Sequence, residues 1–233
     1  MRVEVRFWLK NNIVIIDART TLDAILAGAK YRSLISQGVS SREASTCIEH
    51  LPFHKFRDNN IWFYMTSLPE YTPVMVDRHI YVRKQNTMRY REILPGETVG
   101  KIIDNGGLTD SGLTPYAMVN HCSNAILTES VSFVADIDVD VLEKVWGKDV
   151  SSEDAAVEGI KEIMESIPYI GSRGRIGYGV VERVSVRKTG KKIRRYVPLG
   201  IKGLNYSYPC ITIRPIPPYW LKEGACLCAI SEF

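Results

Sequence analysis

Residues 2–10 alternate apolar Val3, Val5, Phe7 and Leu9 with Arg2, Glu4, Arg6, Trp8 and Lys10. A period of two marks a strand with one buried face. Asn11-Asn12 suits a turn, and Ile13 to Ile16 is a short apolar run able to pair back. Thr20 or Thr21 can then cap a helix whose apolar face is Leu22, Ile25, Leu26 and Ala29, with Asp23 favourably placed in its first turn. Residues 36–50 are mobile or weakly helical in pattern, with a helix start at Ser40-Ser41-Arg42-Glu43. Leu51 to Asn60 reads as a loop and Ile61 to Met65 as a strongly β-prone run.

Val74 to Val82 predicts a further strand, interrupted by Asp77-Arg78-His79. Residues 83–91 are polar and basic without apolar periodicity, and Pro95-Gly96, Asn105-Gly106-Gly107 and Asp110-Ser111-Gly112 are turn signals in quick succession. Residues 83–115 therefore read as an insertion, a projecting arm or hairpin. Ile126 to Val141 predicts a strand with Val131, Phe133, Ala135, Ile137 and Val139 on one face and Asp136, Asp138 and Asp140 on the other. Ser151 or Ser152 caps a helix with apolar positions Ala156, Ile160, Ile163 and Ile167, ended by Pro168. A glycine-rich stretch follows, then a strand carrying Val180, Val181, Val184 and Val186. This order of strands and helices predicts an α+β fold built on one or two ferredoxin-like units. Beyond Arg195, Ile211 to Arg214 is a short strand, Pro215, Pro217 and Pro218 impose extended chain, and Ala225 to Ile230 could add an edge strand. Tyr206 and Tyr208 share a strand face, read as core or rim packing.

Composition narrows the compartment and the chemistry. With 233 residues and 45% hydrophobic content the chain can bury a substantial core, as one elaborated domain or two small ones. No apolar run approaches the roughly eighteen residues of a membrane span, and the charged first strand is no signal peptide, so the expected location is the cytoplasm, away from membranes. Cys47, Cys122, Cys210, Cys226 and Cys228 form an odd, scattered set that fits reduced structural thiols. Cys226-Leu-Cys228 lacks the second ligand pair of a zinc site. Asp136-x-Asp138-x-Asp140 invites a calcium loop, but Val141 stands at the glycine position and Gly147 at the twelfth, so no metal is assigned.

The net charge is +4, yet Arg173 to Arg195 holds nine Lys/Arg against Glu182 alone, so this segment carries +8 and the remainder −4. A concentrated basic edge favours a local nucleic-acid contact; a solvated hairpin with a Lys-rich turn is the alternative. The segment opens within Gly171-Ser172-Arg173-Gly174-Arg175-Ile176-Gly177-Tyr178-Gly179, whose four glycines in nine residues mark a loop. Glycine loops can cradle phosphate on successive amides. A Walker loop or dinucleotide fingerprint would open a helix, whereas here a strand follows. The GxxG clamp of RNA-binding domains joins two helices and fails likewise. What remains is a sequence-tolerant grip, with amides and Ser172 on phosphates, Arg173 and Arg175 as charged donors and Tyr178 as a stacking plane. A purely structural tight loop is the alternative. His54, Lys55 and Arg57 beside Phe53 and Phe56 offer a second set of phosphate donors next to stacking faces, unless both phenylalanines are core.

Gly171 to Gly179, placed after a helix and before a strand, resembles the C-terminal glycine-rich loop of the RAMP superfamily of CRISPR-associated proteins. Thr21-Leu-Asp-Ala-Ile-Leu-Ala27 and Leu51-Pro-Phe-His-Lys-Phe-Arg-Asp-Asn-Asn-Ile-Trp-Phe-Tyr64 resemble the Cas-five-type subunit of type IV systems. The resemblance spans roughly residues 1–190 and implies a modified RRM fold that holds the 5′ handle of a CRISPR RNA at one end of an effector complex. It implies docking against backbone and large subunits, and leaves contact with target DNA open. On that basis residues 1–190 form a RAMP/RRM-like domain and 191–233 a β-rich extension of it. The basic insertion, with Arg83, Lys84, Arg89 and Arg91, is assigned as a thumb that orders the guide. No aromatic RNP motif is evident on the inner strands, so binding by loops is expected over binding by the sheet face. Neither metal nor cofactor is called for. The runner-up reading is a metal-independent endoribonuclease with His54, Lys55 and a nearby tyrosine such as Tyr64 as acid–base set.

Overall fold

The alternation at the N-terminus does produce a strand, and that strand becomes the centre of the principal sheet. The computed structural model describes residues 1–14, 16, 19–47, 49–58, 61–72, 75–84, 118–171, 177–215 and 225–233. The chain divides into two units, Met1–Pro73 with Thr128–Phe233, and Val74–Leu127. In chain order the elements are β1 (Arg2–Leu9), β2 (Ile13–Val14), α1 (Leu22–Ser36), α2 (Ser41–Cys47), β3 (Lys55–Asp58), β4 (Ile61–Tyr64), β5 (Glu70–Thr72), β6 (Met75–Lys84), β7 (Met118–Leu127), β8 (Ser130–Asp136), α3 (Val139–Lys144), α4 (Glu153–Glu165), β9 (Val181–Lys188), β10 (Arg194–Pro198), β11 (Ser207–Ile213) and β12 (Cys226–Glu232).

The first unit is α+β. Its main sheet runs β5-β8-β1-β9 with every neighbour antiparallel. α1 follows β1 in the chain and packs against β8, while α4 precedes β9 and packs against it. Val3, Val5 and Phe7 of β1 face the same side as Val131, Phe133 and Ala135 of β8 and Val184 of β9, all buried. Phe7 and Phe133 meet edge to face at 6.1 Å, the geometry aromatic quadrupoles favour. α1 adds Leu22, Ile25 and Leu26 to the core, and α4 adds Ala156, Ile160, Ile163 and Met164. Ser152 caps α4 through Ala155 N–H at 3.1 Å. Ser40 Oγ accepts from Glu43 N–H and donates to the Glu43 carboxylate at the start of α2, so the weak helical pattern of residues 36–50 resolves into a short helix capped by Ser40.

A second sheet, β10-β12-β11, is also antiparallel. The β3–β4 hairpin joins it through a core of Phe63, Val197 and Ile201 with Phe56, Tyr206 and Phe233 packed around them. In the second unit β6 and β7 pair antiparallel from Met75↔Leu127 to Lys84↔Met118. Most of the 83–115 insertion read from the sequence lies outside the described residues.

Four expectations change. The strand predicted over Ile126 to Val141 is two strands, and β8 stops at Asp136. Asp138 then caps α3 through Val141 N–H at 3.2 Å, and an acidic cap in place of a strand position is what Asp favours. The triad of aspartates is thereby dispersed: Asp136 bonds Arg2 at 2.7 Å, Asp138 caps, and Asp140 sits in the first turn of α3. Residues 55–58 form β3 rather than loop, paired with β4. The C-terminal strand β12 is central, not an edge, because β10 and β11 flank it. Tyr206 and Tyr208 part company: the Tyr206 hydroxyl bonds Pro198 O at 3.2 Å, while Tyr208 is 85% exposed.

Candidate nucleic-acid interface

The glycine stretch closes onto β9 as a tight backbone crossing. Ile170 N–H donates to Gly179 O at 2.9 Å, and Tyr169 bridges Val180. Gly179 has φ 62°, and a Cβ there would collide with the Ile170 carbonyl, so only glycine fits. Asn11 Nδ2 donates to Gly177 O at 3.0 Å, and Lys10 N–H to Val180 O at 3.0 Å. The end of the loop is thus tied to the end of β1. Gly171 and the half-buried Tyr178 flank it. Ser172, Arg173, Gly174 and Arg175 lie outside the described residues.

Beside this crossing lies an aromatic–cationic cluster. Trp8 faces Arg183 across the β1–β9 ladder. The Arg183 guanidinium stands 4.9 Å from the Trp8 ring centroid and that of Arg6 5.8 Å, within cation–π range. Arg183 and Arg187 are exposed on the outer side of β9. Sequence reasoning placed Trp8 on the polar side of β1 and drew nothing from it. The signal available was a large aromatic among charged positions, on the face an alternating strand turns to solvent.

Much of the remaining basic segment is engaged within the fold. Glu4, only 1% exposed, takes Arg187 at 2.5 Å and Lys191 at 2.9 Å. Burial pushes the Glu4 carboxyl up, and hydrogen bonds from Lys191 and Arg187 outweigh it and hold the group below its ordinary range. Lys188 pairs with Glu153 at 2.6 Å, and Lys192 with Glu232 at 3.8 Å. Arg195 is 1% exposed, its guanidinium donating to Tyr64 O and Pro215 O and standing 4.0 Å from Asp23. The +8 read from the sequence therefore overstates the charge offered to a polyanion. Among the described residues Arg183 makes no ion pair.

The second candidate set lies on one face of the β3–β4 hairpin. Lys55 and Arg57 stand opposite Tyr64 and Trp62 respectively. Lys55 Nζ lies 4.5 Å from the Trp62 ring centroid. Burial lowers the Lys55 ammonium below its usual range, assisted by the like charge of Arg57. His54 is half exposed, with Nδ1 3.8 Å from Asp138 Oδ2. Phe53 is buried, and Phe56 stacks on Phe63 at 4.9 Å in the core. The aromatic that accompanies these cations is thus Trp62, not Phe53 or Phe56, and recognising the hairpin would have revealed it. Tyr64 is buried, accepting from Leu51 N–H at 3.1 Å and donating to Glu49 O at 2.5 Å. Burial drives its phenol further above its ordinary range, and with the hydroxyl engaged on both sides Tyr64 does not present itself beside His54 and Lys55. Arg83 and Lys84 end β6; Arg89 and Arg91 lie outside the described residues.

No helix among the described residues is long and apolar enough to cross a membrane, and no cluster of potential metal ligands occurs among them. Cys226 and Cys228 lie adjacent, Sγ to Sγ 3.5 Å, and burial raises the Cys228 thiol, as in an inert structural cysteine.

No curated protein matches the chain. Among solved structures it is similar to a CRISPR protein from Archaeoglobus fulgidus, at 12% identity over 100% of this chain and 85% of that one, TM-score 0.32. It is also similar to a chain of a CRISPR RNA-guided surveillance complex, pre-nicking, at 7% identity over 84% and 79% of the two chains, TM-score 0.27. A family model matches residues 2–231, nearly the whole length, and the chain belongs to that family, CRISPR type IV associated protein Csf3.

Proposed function

We propose that this protein is a non-catalytic RNA-binding subunit of a type IV CRISPR effector complex, holding the 5′ handle of the guide RNA. The observation that carries this reading is the junction of the Gly177–Val180 crossing with Trp8, Arg6 and Arg183. The end of the glycine stretch, the Trp8 ring and Arg183, which makes no ion pair among the described residues, converge there at the end of one ladder. Base stacking on an aromatic with flanking cations is a sequence-tolerant way to hold single-stranded RNA. Arg173 and Arg175, which belong to the same glycine-rich stretch of the sequence, supply phosphate contacts in this reading. Lys55, Arg57 and Trp62 form a second contact for the strand, with His54 beside them. Tyr64, the tyrosine named as an example in the endoribonuclease alternative, is buried with its hydroxyl engaged on both sides, so that alternative would need another tyrosine beside His54 and Lys55.

The strand order β9-β1-β8-β5, with α1 between β1 and β5 in the chain and α4 between β8 and β9, supports a ferredoxin-like core of the RAMP type. In this reading residues 1–190 form that domain, residues 191–233 extend it, and the inserted arm containing Arg83, Lys84, Arg89 and Arg91 is the thumb. Backbone and large subunits of the complex are the protein partners.

Filter binding of a handle-bearing CRISPR RNA at physiological salt tests the proposal. Arg173→Ala with Arg175→Ala, and separately Trp8→Ala, should each weaken binding about tenfold or more, since one stacked base contributes about 1–3 kcal/mol. Unchanged affinity in both would sink it. Precursor RNA incubated with the protein in EDTA should stay intact; cleavage lost in His54→Ala would establish the endoribonuclease instead.

A further inference from the structure

β9 is the outermost strand of the main sheet, and its far edge pairs with no further strand among the described residues. In an antiparallel pair, directly opposed residues exchange bonds at every second position. Leu9 N–H donates to Glu129 O at 2.9 Å on the β8 side, and Thr189 N–H to Arg2 O at 3.2 Å on the β9 side. These bonds fix the phase of both ladders, so Glu4, Arg6 and Trp8 of β1 bond Arg187, Ser185 and Arg183 of β9. The N–H and C=O groups of Val184, Val186 and Lys188 therefore point to the open side. Among the described residues only the start of the strand is covered there, where Val181 N–H donates to Pro168 O at 3.0 Å.

An open edge is a template for another strand, and folds blunt such edges with short strands, proline or bulges. β5, at the opposite edge of the main sheet, has three residues, and the edge strands of the second sheet, β10 and β11, contain Pro198 and Pro209. β9 has eight residues and no proline, and its one register shift, at Trp8 and Leu9, lies before the open stretch. Lys188, the lysine at its end, is engaged by Glu153 and Asp154.

The chemistry of this edge selects its occupant. It alternates donors and acceptors, which an extended peptide matches group for group, whereas the phosphates of a nucleic acid match the donors alone. Arg183, Ser185 and Arg187 are exposed on the outer face of β9. With Arg6 and Lys191 this face brings four cations to two carboxylates, Glu4 and Glu70, so it favours acidic side chains on an added strand. The same charge disfavours a second copy of this chain. Antiparallel pairing centred on Ser185 sets Arg183 opposite the other copy's Arg187, and pairing centred on Val186 sets the two Arg187 side chains diagonal to one another; like charges so placed repel. The core face offers buried Val184 and half-buried Val186.

We infer that the open edge of β9 receives an extended acidic segment of a partner protein as an added antiparallel strand. The acidic residues of that segment stand opposite Arg183, Ser185 and Arg187 and turn their own N–H groups away. Its apolar residues stand opposite Val184, Val186 and Lys188 and take the ladder bonds. This does not rest on the handle-binding reading, because the groups used are main-chain amides and carbonyls of β9 and the test contains no RNA.

The probe is an end-blocked peptide, Glu-Val-Glu-Val-Glu-Val-Glu, titrated calorimetrically into the full-length protein. It should bind at millimolar concentration or below, and its counterpart with Lys for Glu at least tenfold more weakly. N-methylation of its valines should abolish binding, and N-methylation of its glutamates should not. Val186→Pro should weaken binding by tenfold or more while the protein stays folded in thermal melts, since proline is tolerated where the strand N–H faces outward. If that variant does not fold, the methylated peptides decide on the native protein. Amide exchange read residue by residue by NMR should slow at Val184, Val186 and Lys188 when the peptide is added. No binding at millimolar concentration, equal binding of the Lys peptide, equal effects of the two methylations, or unaltered affinity in folded Val186→Pro would each overturn the assignment. Self-association of the free protein that Val186→Pro abolishes would give the edge to a second copy and overturn it as well.

Discussion

Arg195 shows how one residue can count as surface charge in a sequence and as core in a fold. It sits two residues into β10, its guanidinium over the Phe63 ring at 4.8 Å and beside the buried carboxylate of Asp23. Burial lowers the guanidinium below its ordinary range and Asp23 counters that. Removing one partner of such a pair leaves an uncompensated buried charge, which costs about 3–5 kcal/mol. Arg195→Met should therefore lower the denaturation free energy by about that amount, measured by urea unfolding. Asp23→Leu added to it should recover a large part, because replacing both partners by apolar groups is often near neutral. A loss under about 1 kcal/mol in the single variant would show that the pair is not structural. Nothing in the run Lys191-Lys192-Ile193-Arg194-Arg195 separates the buried arginine from its exposed neighbours. Only the alternation within β10, with Arg195 and Val197 buried and Tyr196 half-exposed, would have hinted at it.

At the scale of elements, the regular periods were readable and the junctions were not. β1, α1 and α4 followed from apolar spacing, and the caps at Ser40 and Ser152 from side-chain chemistry. β8 was overextended because Ile137 and Val139 continue the alternation that Asp138 interrupts by capping α3. β3 was missed because Lys55 to Asp58 carries only one apolar residue, Phe56, and becomes a strand through its ladder with β4. The pairing of β1 with β9 has its own signature in pH. Glu4 is buried on β1 and held below its unfolded value by Lys191 and Arg187. A depressed carboxylate stabilises the fold above the unfolded value, about 4.3 for glutamate, and loses that contribution as pH falls through the folded value. Glu4→Gln should therefore be less stable than the native protein at pH 7, by about 2 kcal/mol. The gap should narrow as pH drops below about 4.3, since carboxyls common to both proteins cancel. Thermal melts from pH 7 to pH 3 check this, and a gap constant across that range would remove Glu4 as a pH-linked contact.

For the whole molecule, net charge mattered less than how it is apportioned. The +4 chain spends Arg187, Lys188 and Lys191 on ion pairs with Glu4, Glu70, Glu153 and Asp154. A nucleic-acid contact therefore has to rely on a few placed groups rather than on a general field. The division into two units has a more direct consequence. Thr72 ends β5 opposite Ser130 of β8, and Thr72 N–H donates to the Thr128 hydroxyl at 3.0 Å. The chain thus leaves and re-enters the first unit at neighbouring points of one antiparallel ladder. Replacing residues 74–127 by two glycines would join β5 to β8 through a loop of about five residues, an ordinary hairpin length. The shortened protein should unfold in a single cooperative transition, its melting temperature within about 5 °C of the full chain, the change expected for about 1–2 kcal/mol in a domain of this size. Aggregation, or loss of a cooperative transition, would mean that Val74–Leu127 is required for the first unit to fold. If the excised protein folds, its affinity for handle RNA reports on the arm. A decline of tenfold or more, with a shallower dependence on salt, would place phosphate contacts on the excised segment, because each contact removed lowers the salt slope by about one. Unaltered affinity and slope would confine RNA binding to the first unit, where Trp8, Arg183 and the glycine crossing lie.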